Sequence, residues 1–491
     1  MNNKFYIIGI LFLSLGFFAC DDELNDLEPF TEAEPSAFLT TPQNFEIVMN
    51  GVYRQLWLYY SDPGSGLQGI PDIISDNVIL AQTGRRSNAD YYDLRYVAST
   101  LRAIPLYWSE AYEAINGANL IIENISNIDG TTEQDNILGQ ALAARAWAHF
   151  DLARIYGQIP TQSAGANGTL GAVYLKAEDG DTGSTIEDAL AEPARETIAS
   201  NYEEIIEDLE RASTLISEDS NGEGTLNKNG VEALLSRVYL YNGEYQKVID
   251  AANKVTASLA TAEELPDVYI DNTNAGVVIE LSINTSSQSR GNNVGVLYSQ
   301  SSRGETVSEY VMDFDFFNSI DATDVRKSVL QFVGINDDIE YNAIKKFLGE
   351  EGQTNGLVDV KVLRMAEVIL NKAEAQFELG LEADALASLN ELREVRYSPY
   401  VAGTETGVAL EDAIQFERRV ELAYEGHRFF DLKRRGEGIN RNATNGDIID
   451  GTGTPPTEAT LPAGNFRFQF PIPIGEINAN STIAKQQNPG Y

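Results

Sequence analysis

Glu411 to Gly436 reads EDAIQFERRVELAYEGHRFFDLKRRG. Glu417, Glu421 and Glu425 recur at four-residue spacing, which on a helix stacks them into one acidic column. Arg418, Arg419, Val420, Leu422, Ala423 and Tyr424 lie between them, and Gly426 breaks the run ahead of His427 and Arg428. Carboxylates beside a histidine and an arginine fit a hydrolase site. A glycosidase needs two carboxyls about 5 to 9.5 Å apart, and neighbours on one helix turn can meet that distance. The opposing reading is an ion-paired helix end. Arg418, Arg419, Arg428, Lys433, Arg434 and Arg435 supply a cation for every acid, and like charges at this spacing need such partners. Tyr424, Phe429 and Phe430 mark packed rather than open surroundings. The network accounts for more of the residues than catalysis does, and it would lock the last helical repeat to a strand-bearing half. His427 is expected to be a satisfied hydrogen-bonding residue after the break.

Upstream, Leu363 to Arg396 forms a helix, a corner at Gly380 and a second helix, and Ala233 to Val255 does the same around Gly243. An alanine-rich helix runs from Glu133 to Tyr156, and its Ala141 to Gly157 part with Glu196 to Ile216 could be a further pair around an inserted polar loop. Two helices joined by a glycine turn, with small residues at the crossing, are the mark of tetratricopeptide-like units, which must stack to bury their apolar faces. Earlier helices run from Thr41-Pro42-Gln43, with Phe45, Val48, Val52 and Leu56 on one stripe, and from Leu106 to Asn124. Tyr59 and Tyr60 fall in the turn-rich LYYSDPGSGLQG, read as a loop. Gly276 to Ile283 reads as a strand, and so does the alternating NFRFQFPIP with Phe466, Phe468 and Phe470. The fold class is therefore mostly α: tetratricopeptide-like helical pairs against an irregular, loop-rich half with a few short strands.

The chain has 491 residues and a net charge of −39. That charge excludes nucleic acid and adhesion to anionic lipid, and it suits a highly soluble surface. One cysteine permits no intramolecular disulfide, and two histidines, His149 and His427, exclude a multi-histidine zinc site. Met1 to Ala19 carries Lys4 and an apolar run from Phe5 to Phe18, too short to span a bilayer and suited to a secretory signal. The lone Cys20 stands where that run stops, as in a bacterial lipoprotein signal, and acidic DDELNDLEP follows it. Residues 1–19 are expected as signal peptide, 20–40 as a lipidated tether, and 41–491 as a single unit.

In the order RAWAHFDLARIYGQIP, RMAEVILNKAEAQFELG, ERRVELAYEGHRFFDLKRRG and FPIPIGEINANSTIAKQQNPGY, behind a lipoprotein signal, the chain resembles the SusD/RagB family from Cys20 to Tyr491. The resemblance implies four tetratricopeptide-like pairs, with an N-terminal part at about 41–220 and a C-terminal part at about 275–491. It implies no catalysis. Its partners would be an oligo- or polysaccharide and a TonB-dependent, SusC-like transporter. Acidic residues after the lipidated cysteine, as in surface lipoproteins of Bacteroidota, imply an outer-membrane, cell-surface anchor. A peptide ligand remains an alternative, since some relatives take peptides; a glycoside hydrolase and a repeat scaffold for other proteins are the others. The chain departs from relatives that display exposed tryptophans: it has only Trp57, Trp108 and Trp147, the last two in helical sequence.

Sugars pack their C–H faces on aromatic rings and exchange hydrogen bonds with Arg, Asp and Asn, so a glycan platform wants exposed aromatics among such groups on loops. Arg85, Asn88, Asp90, Tyr91, Tyr92 and Tyr96 form one candidate, Tyr298 and Tyr310 a second, and Trp57 and Tyr59 with Tyr60 a third. No cofactor is implied. Asp179 and Asp181, and Asn445, Asp447 and Asp450, lie in oxygen-rich loops that could hold a structural Ca2+, without the EF-hand spacing; solvated turns explain them as well.

Overall fold

Pro42 opens the first long helix, α1 (Pro42–Ser61), because its fixed φ suits a first turn whose N–H has no helical partner. The computed structural model describes residues 35–62, 66–82, 86–99, 105–177, 192–218, 224–282, 295–298, 300–302, 305–336, 338–349, 358–448 and 450–491. Tyr59 and Tyr60 belong to α1 and not to a loop, since the sequence holds no breaker before Pro63. There follow α2 (Pro105–Asn124), α3 (Thr132–Tyr156), α4 (Ile198–Leu215), α5 (Lys228–Asn242), α6 (Tyr245–Ala252), α7 (Met365–Glu378), α8 (Glu382–Glu394), α9 (Val408–Glu421) and α10 (Arg428–Arg434). From α1 to α8 each packs on the one before. Gly243 (φ +78°) and Gly380 (φ +74°) turn the α5–α6 and α7–α8 corners in the left-handed conformation that glycine adopts without strain.

Short strands make the other half: β1 (Val78–Ala81), β2 (Val277–Leu281), β3 (Tyr310–Met312), β4 (Gln331–Asn336), β5 (Ile339–Ile344), β6 (Val360–Arg364) and β7 (Gly453–Thr454). β1 is the centre of an antiparallel sheet, with Ile79 opposite Val311 and Leu80 opposite Thr454. β2, the expected GVVIELSI strand, pairs with β6, whose residues run directly into α7. The tail is not the expected strand. Phe466–Phe468 is a 3-10 turn in which the Asn465 side chain accepts the Arg467 N–H. The Phe470 N–H is taken by the Ile155 carbonyl, and Pro471 and Pro473 have none to offer a ladder. Phe468 instead stacks on Phe429 at 5.4 Å. One buried core runs from Leu39 to Ile483 and joins both halves; a smaller one lies among α7, α8 and α9.

α9 ends at Glu421, and Tyr424 (φ +66°) and Gly426 (φ +80°) turn the chain, so Glu425 stands outside the helix. The three glutamates nevertheless meet one cluster of cations. Arg364 reaches Glu421 at 2.7 Å and Glu425 at 2.7 Å, and Arg396 reaches Glu421 at 2.9 Å. Arg326 bridges Glu417 and Glu421, Arg393 lies 2.8 Å from Glu417, and Lys346 pairs with Glu425. The expected donors are thus corrected. Residues adjacent in sequence to a glutamate point away from its helix face, so the cations come from remote segments. Arg418 serves Asp431, Arg428 serves Asp76, and Arg434 serves Glu374. Arg435 serves Glu411, and Lys433 donates to the carbonyls of Arg154 and Gly157. Buried Asp72 accepts the Tyr424 and Gly426 N–H groups and the Asn77 amide, which ties the N-terminal half to the turn. A Cβ on Gly426 would lie 2.1 Å from the Leu67 carbonyl oxygen, so the turn has no room for any other residue. His427 is not the satisfied residue expected: among the described residues its Nδ1 has no hydrogen-bond partner, its Nε2 is 3.7 Å from Glu367, and burial keeps the ring neutral.

Burial alone would raise the Glu421 carboxyl, but Arg396, Arg364 and Arg326 hold it well below the usual range. Glu421→Ala leaves those guanidinium groups buried without their anion, and thermal denaturation is expected to register a loss of ~3–5 kcal/mol. Glu374 follows the same logic: burial pushes it up, while Arg434, Arg418 and Arg435 bring it from 4.5 down to about 2. A depressed carboxyl stabilises the fold fully above its unfolded pKa and loses that contribution as pH falls through the folded one. Urea unfolding is therefore expected to show stability falling from about pH 4.5 to about pH 2, with a shallower fall in Glu374→Gln.

Candidate functional site

β1 delivers the chain to a polar crest, 86–97, built on the edge of its sheet. Three non-glycine residues there stand in the left-handed region: Arg86 (φ +56°), Asn88 (φ +62°) and Leu94 (φ +56°). Such backbone persists only where surrounding contacts over-determine it. The Ser87 N–H donates to Glu309 Oε2 at 2.7 Å, and the Tyr310 hydroxyl donates to the Ser87 carbonyl at 2.7 Å. Arg86 donates to the Thr454 hydroxyl at 2.7 Å, and the Tyr92 hydroxyl to the Thr454 carbonyl at 2.9 Å. Arg441 donates to the carbonyls of Tyr92 and Ile74, and the Asp93 carboxylate accepts the Thr457 N–H at 3.1 Å. The crest is thus fastened from β3 on one flank and from β7 and its approaches on the other.

The surface so held is polar. Asn88 and Asp90 are half-buried, Arg95 is exposed, and Arg95 pairs with Asp90 at 3.4 Å and Asp93 at 2.8 Å; Val97 adds one exposed apolar group. The aromatic rings are not on that surface, which corrects the expectation of exposed stacking faces. Tyr91 is 8% exposed, and Tyr92, Tyr96, Tyr298 and Tyr310 are fully buried. Tyr92 lies 6.2 Å from Tyr310 under the crest, Tyr96 stacks on Phe470 at 4.5 Å, and Tyr298 lies 5.2 Å from Tyr424. Their apolar bodies fill the space beneath the crest, and burial raises every one of these hydroxyl pKa values.

The structure therefore brings the first two candidate stretches together and leaves the third apart. Trp57 and Tyr59 are buried on α1. The Tyr59 and Tyr60 hydroxyls donate to Asp151 on α3 at 3.0 and 2.9 Å, and the Trp147 indole donates to Tyr60. Arg85 and Cys20 lie outside the described residues. Glu309 adjoins the candidate Tyr310 but carries no binding signal of its own; Thr454 and Arg441 carry no local signal, because Thr454 comes to the crest only by β-pairing with β1 and Arg441 only by its bond to the Tyr92 carbonyl, 349 residues away.

Of the oxygen-rich loops, Asp179 and Asp181 lie outside the described residues. Asp447 is buried and accepts both contacts from the Asn342 amide at 3.0 Å, while Asp450 accepts the Thr452 N–H at 2.9 Å. Burial, then Asp450, pushes the Asp447 carboxyl up to about 7. Among the described residues no three Asp, Glu, His or Cys side chains gather closely enough to hold a metal ion. Glu417, Glu421 and Glu425 are all buried with their cations, so none faces a cleft.

Two family models match the chain: the SusD family over residues 338–491, and a SusD-like family described as starch-binding and associating with the outer membrane over residues 60–240. SusD-like protein P2 of Formosa agariphila is 25% identical over 99% of this chain and 100% of its own length. The starch-binding protein SusD of Bacteroides thetaiotaomicron is 32% identical, but over only 27% of this chain and 22% of that protein. The crystal structure of a SusD superfamily protein from Bacteroides thetaiotaomicron superposes with a TM-score of 0.76 at 27% identity, covering 91% of this chain and all of the other.

A ring that supports the crest from below, unlike one exposed on a platform, carries folding free energy. Tyr92→Ala is expected to lower stability by ~3–5 kcal/mol, the range for removing a buried aromatic, as read by thermal unfolding.

Proposed function

This chain belongs to the SusD family, and on that premise we propose that it is a non-catalytic lipoprotein of the cell surface that captures an oligo- or polysaccharide and passes it to a TonB-dependent, SusC-like transporter in the outer membrane. The observation that carries the reading is the fastened polar crest. Asn88, Asp90 and Arg95 offer donors and acceptors within a few residues, on backbone that is already ordered before any ligand arrives. Hydroxyl-rich ligands are recognised by such groups, and pre-ordering removes part of the entropic cost of binding. The starch-binding description of the matched family and of the relative SusD favours a glycan over other hydroxylated ligands. Catalysis is disfavoured because the paired glutamates, the best acid–base candidates in the chain, are spent on buried cations. Ca2+ has no role in this reading.

The anchor is assigned to Cys20, with residues 1–19 removed as signal peptide and 20–40 as the lipidated tether. Residues 41–491 form one unit, with an N-terminal part at about 41–220 and a C-terminal part at about 275–491. Diacyl or triacyl modification of Cys20 supplies the more than one chain that stable anchoring needs. Labelled palmitate is expected to enter the wild type and not Cys20→Ser.

Calorimetry against a panel of starch, neutral β-glucans and acidic polysaccharides tests the ligand. One class is expected to bind, with Asn88→Gly, which keeps the left-handed backbone, and Asp90→Ala each weakening affinity about tenfold at unchanged melting temperature. Binding of peptides and of no glycan would replace the sugar by a peptide. Shortened products from any panel member would overturn the non-catalytic assignment.

A further inference from the structure

Glu309 is fully buried just before β3, and it joins Ala81 and Ser87 to the segment at Leu297. Its side chain accepts the Ser87 N–H at 2.7 Å, on the crest. Its carbonyl accepts the Ala81 N–H at 2.9 Å, at the end of β1, and its own N–H donates to the Leu297 carbonyl at 3.2 Å, on the approach to Tyr298. The next residue repeats the connection from the other side, since the Tyr310 hydroxyl donates to the Ser87 carbonyl at 2.7 Å. Both backbone polar groups of Ser87 are thus held by the consecutive residues Glu309 and Tyr310. Ser87 lies between Arg86 and Asn88, two of the left-handed residues.

The Ser87 N–H belongs to the peptide plane shared with Arg86 and the Ser87 carbonyl to the plane shared with Asn88, so the two bonds restrain the planes on both sides of Ser87. Arg86 and Asn88 would each relax toward ordinary backbone if that grip were released, because the left-handed conformation is disfavoured for residues with a Cβ. Asn88 and Asp90 would then leave the positions from which they meet a ligand. We infer that Glu309 is a positioning residue that sets ligand affinity from beneath the crest, through its hold on the Ser87 N–H and without touching ligand itself. The inference rests on the reading of the crest as the glycan site.

The test compares Glu309→Ala, Glu309→Gln and Tyr310→Phe with the wild type, using the full chain and whichever panel glycan the wild type binds. Affinity is measured at matched folded fraction, together with hydrogen exchange in the 82–92 segment. Glu309→Ala is expected to weaken binding about tenfold or more and to speed exchange there. Glu309→Gln keeps an oxygen acceptor of the same reach and is expected to restore most of the affinity and protection. Tyr310→Phe is expected to fall between them. Should Glu309→Ala prove too unstable to compare, the Gln and Phe variants carry the test. Affinity equal to the wild type in both Glu309→Ala and Tyr310→Phe overturns the inference, as does a loss in Glu309→Gln as large as in Glu309→Ala, which would make the charge and not the hydrogen bond decisive. A wild type that binds no glycan sinks the glycan reading instead, while unchanged exchange in the variants would still sink the clamp on its own.

Discussion

Glu421 sits at the point on which the protein's two halves depend. Three arginines converge on its carboxylate, from ahead of β4, from the end of β6 and from just after α8, while Glu417 and Glu425 share two of them and add Arg393 and Lys346. Removing so many charges from water costs several kcal/mol per ion, and only near-ideal geometry offsets that. The network is therefore all-or-none in character. If any contributing segment is absent, the remaining charges are buried without partners. What the arrangement secures is placement more than net stability: β5, β6, α8 and α9 must dock together or not at all.

That constraint reaches the crest by short steps. The turn after α9 presents the Tyr424 and Gly426 N–H groups to Asp72, and Asp72 in turn holds the Asn77 amide one residue before β1 begins. Arg419 and Arg428, from either side of the same turn, grip Asp76. Burial works against the Asp76 charge, but those two guanidinium groups hold its carboxyl far below the usual range. The stretch most easily mistaken for a row of catalytic acids is thus the foundation on which β1 is laid, and β1 carries the crest. Distance from the crest and importance to it are compatible here, because the connection runs through ordered backbone and not through a flexible link.

Much of the fold was legible in the sequence, and the reason is local. Apolar spacing marked α2 to α8 within a few residues of their observed ends, and Gly243 and Gly380 marked the corners, because those are the positions that need left-handed backbone. The misreadings have equally definite causes. NFRFQFPIP alternates like a strand, but its phenylalanines are spaced to meet Phe429 and Tyr96 while its prolines deny it a ladder. Tyr59 and Tyr60 looked like loop residues because glycines and a proline follow them closely, although the helix stops only at Ser61.

For the site the division is sharper. Composition alone located the two stretches, 85–96 and 298–310, that meet at the crest, since both mix tyrosine with groups that bind hydroxyls. It could not say which side of the backbone those tyrosines face: a tyrosine-rich loop suits an exposed platform and a covered core equally well, and only β-pairing to residues near 310 and 454 turned the rings inward. The helical pairs and the family motifs were legible in the sequence, because each is written in residues close together along the chain. The tertiary structure decided which cations meet Glu417, Glu421 and Glu425, and that Glu309 grips Ser87. Those partners are remote in sequence, and electrostatic and hydrogen-bond complementarity acts only once the chain has brought them within about 3 Å.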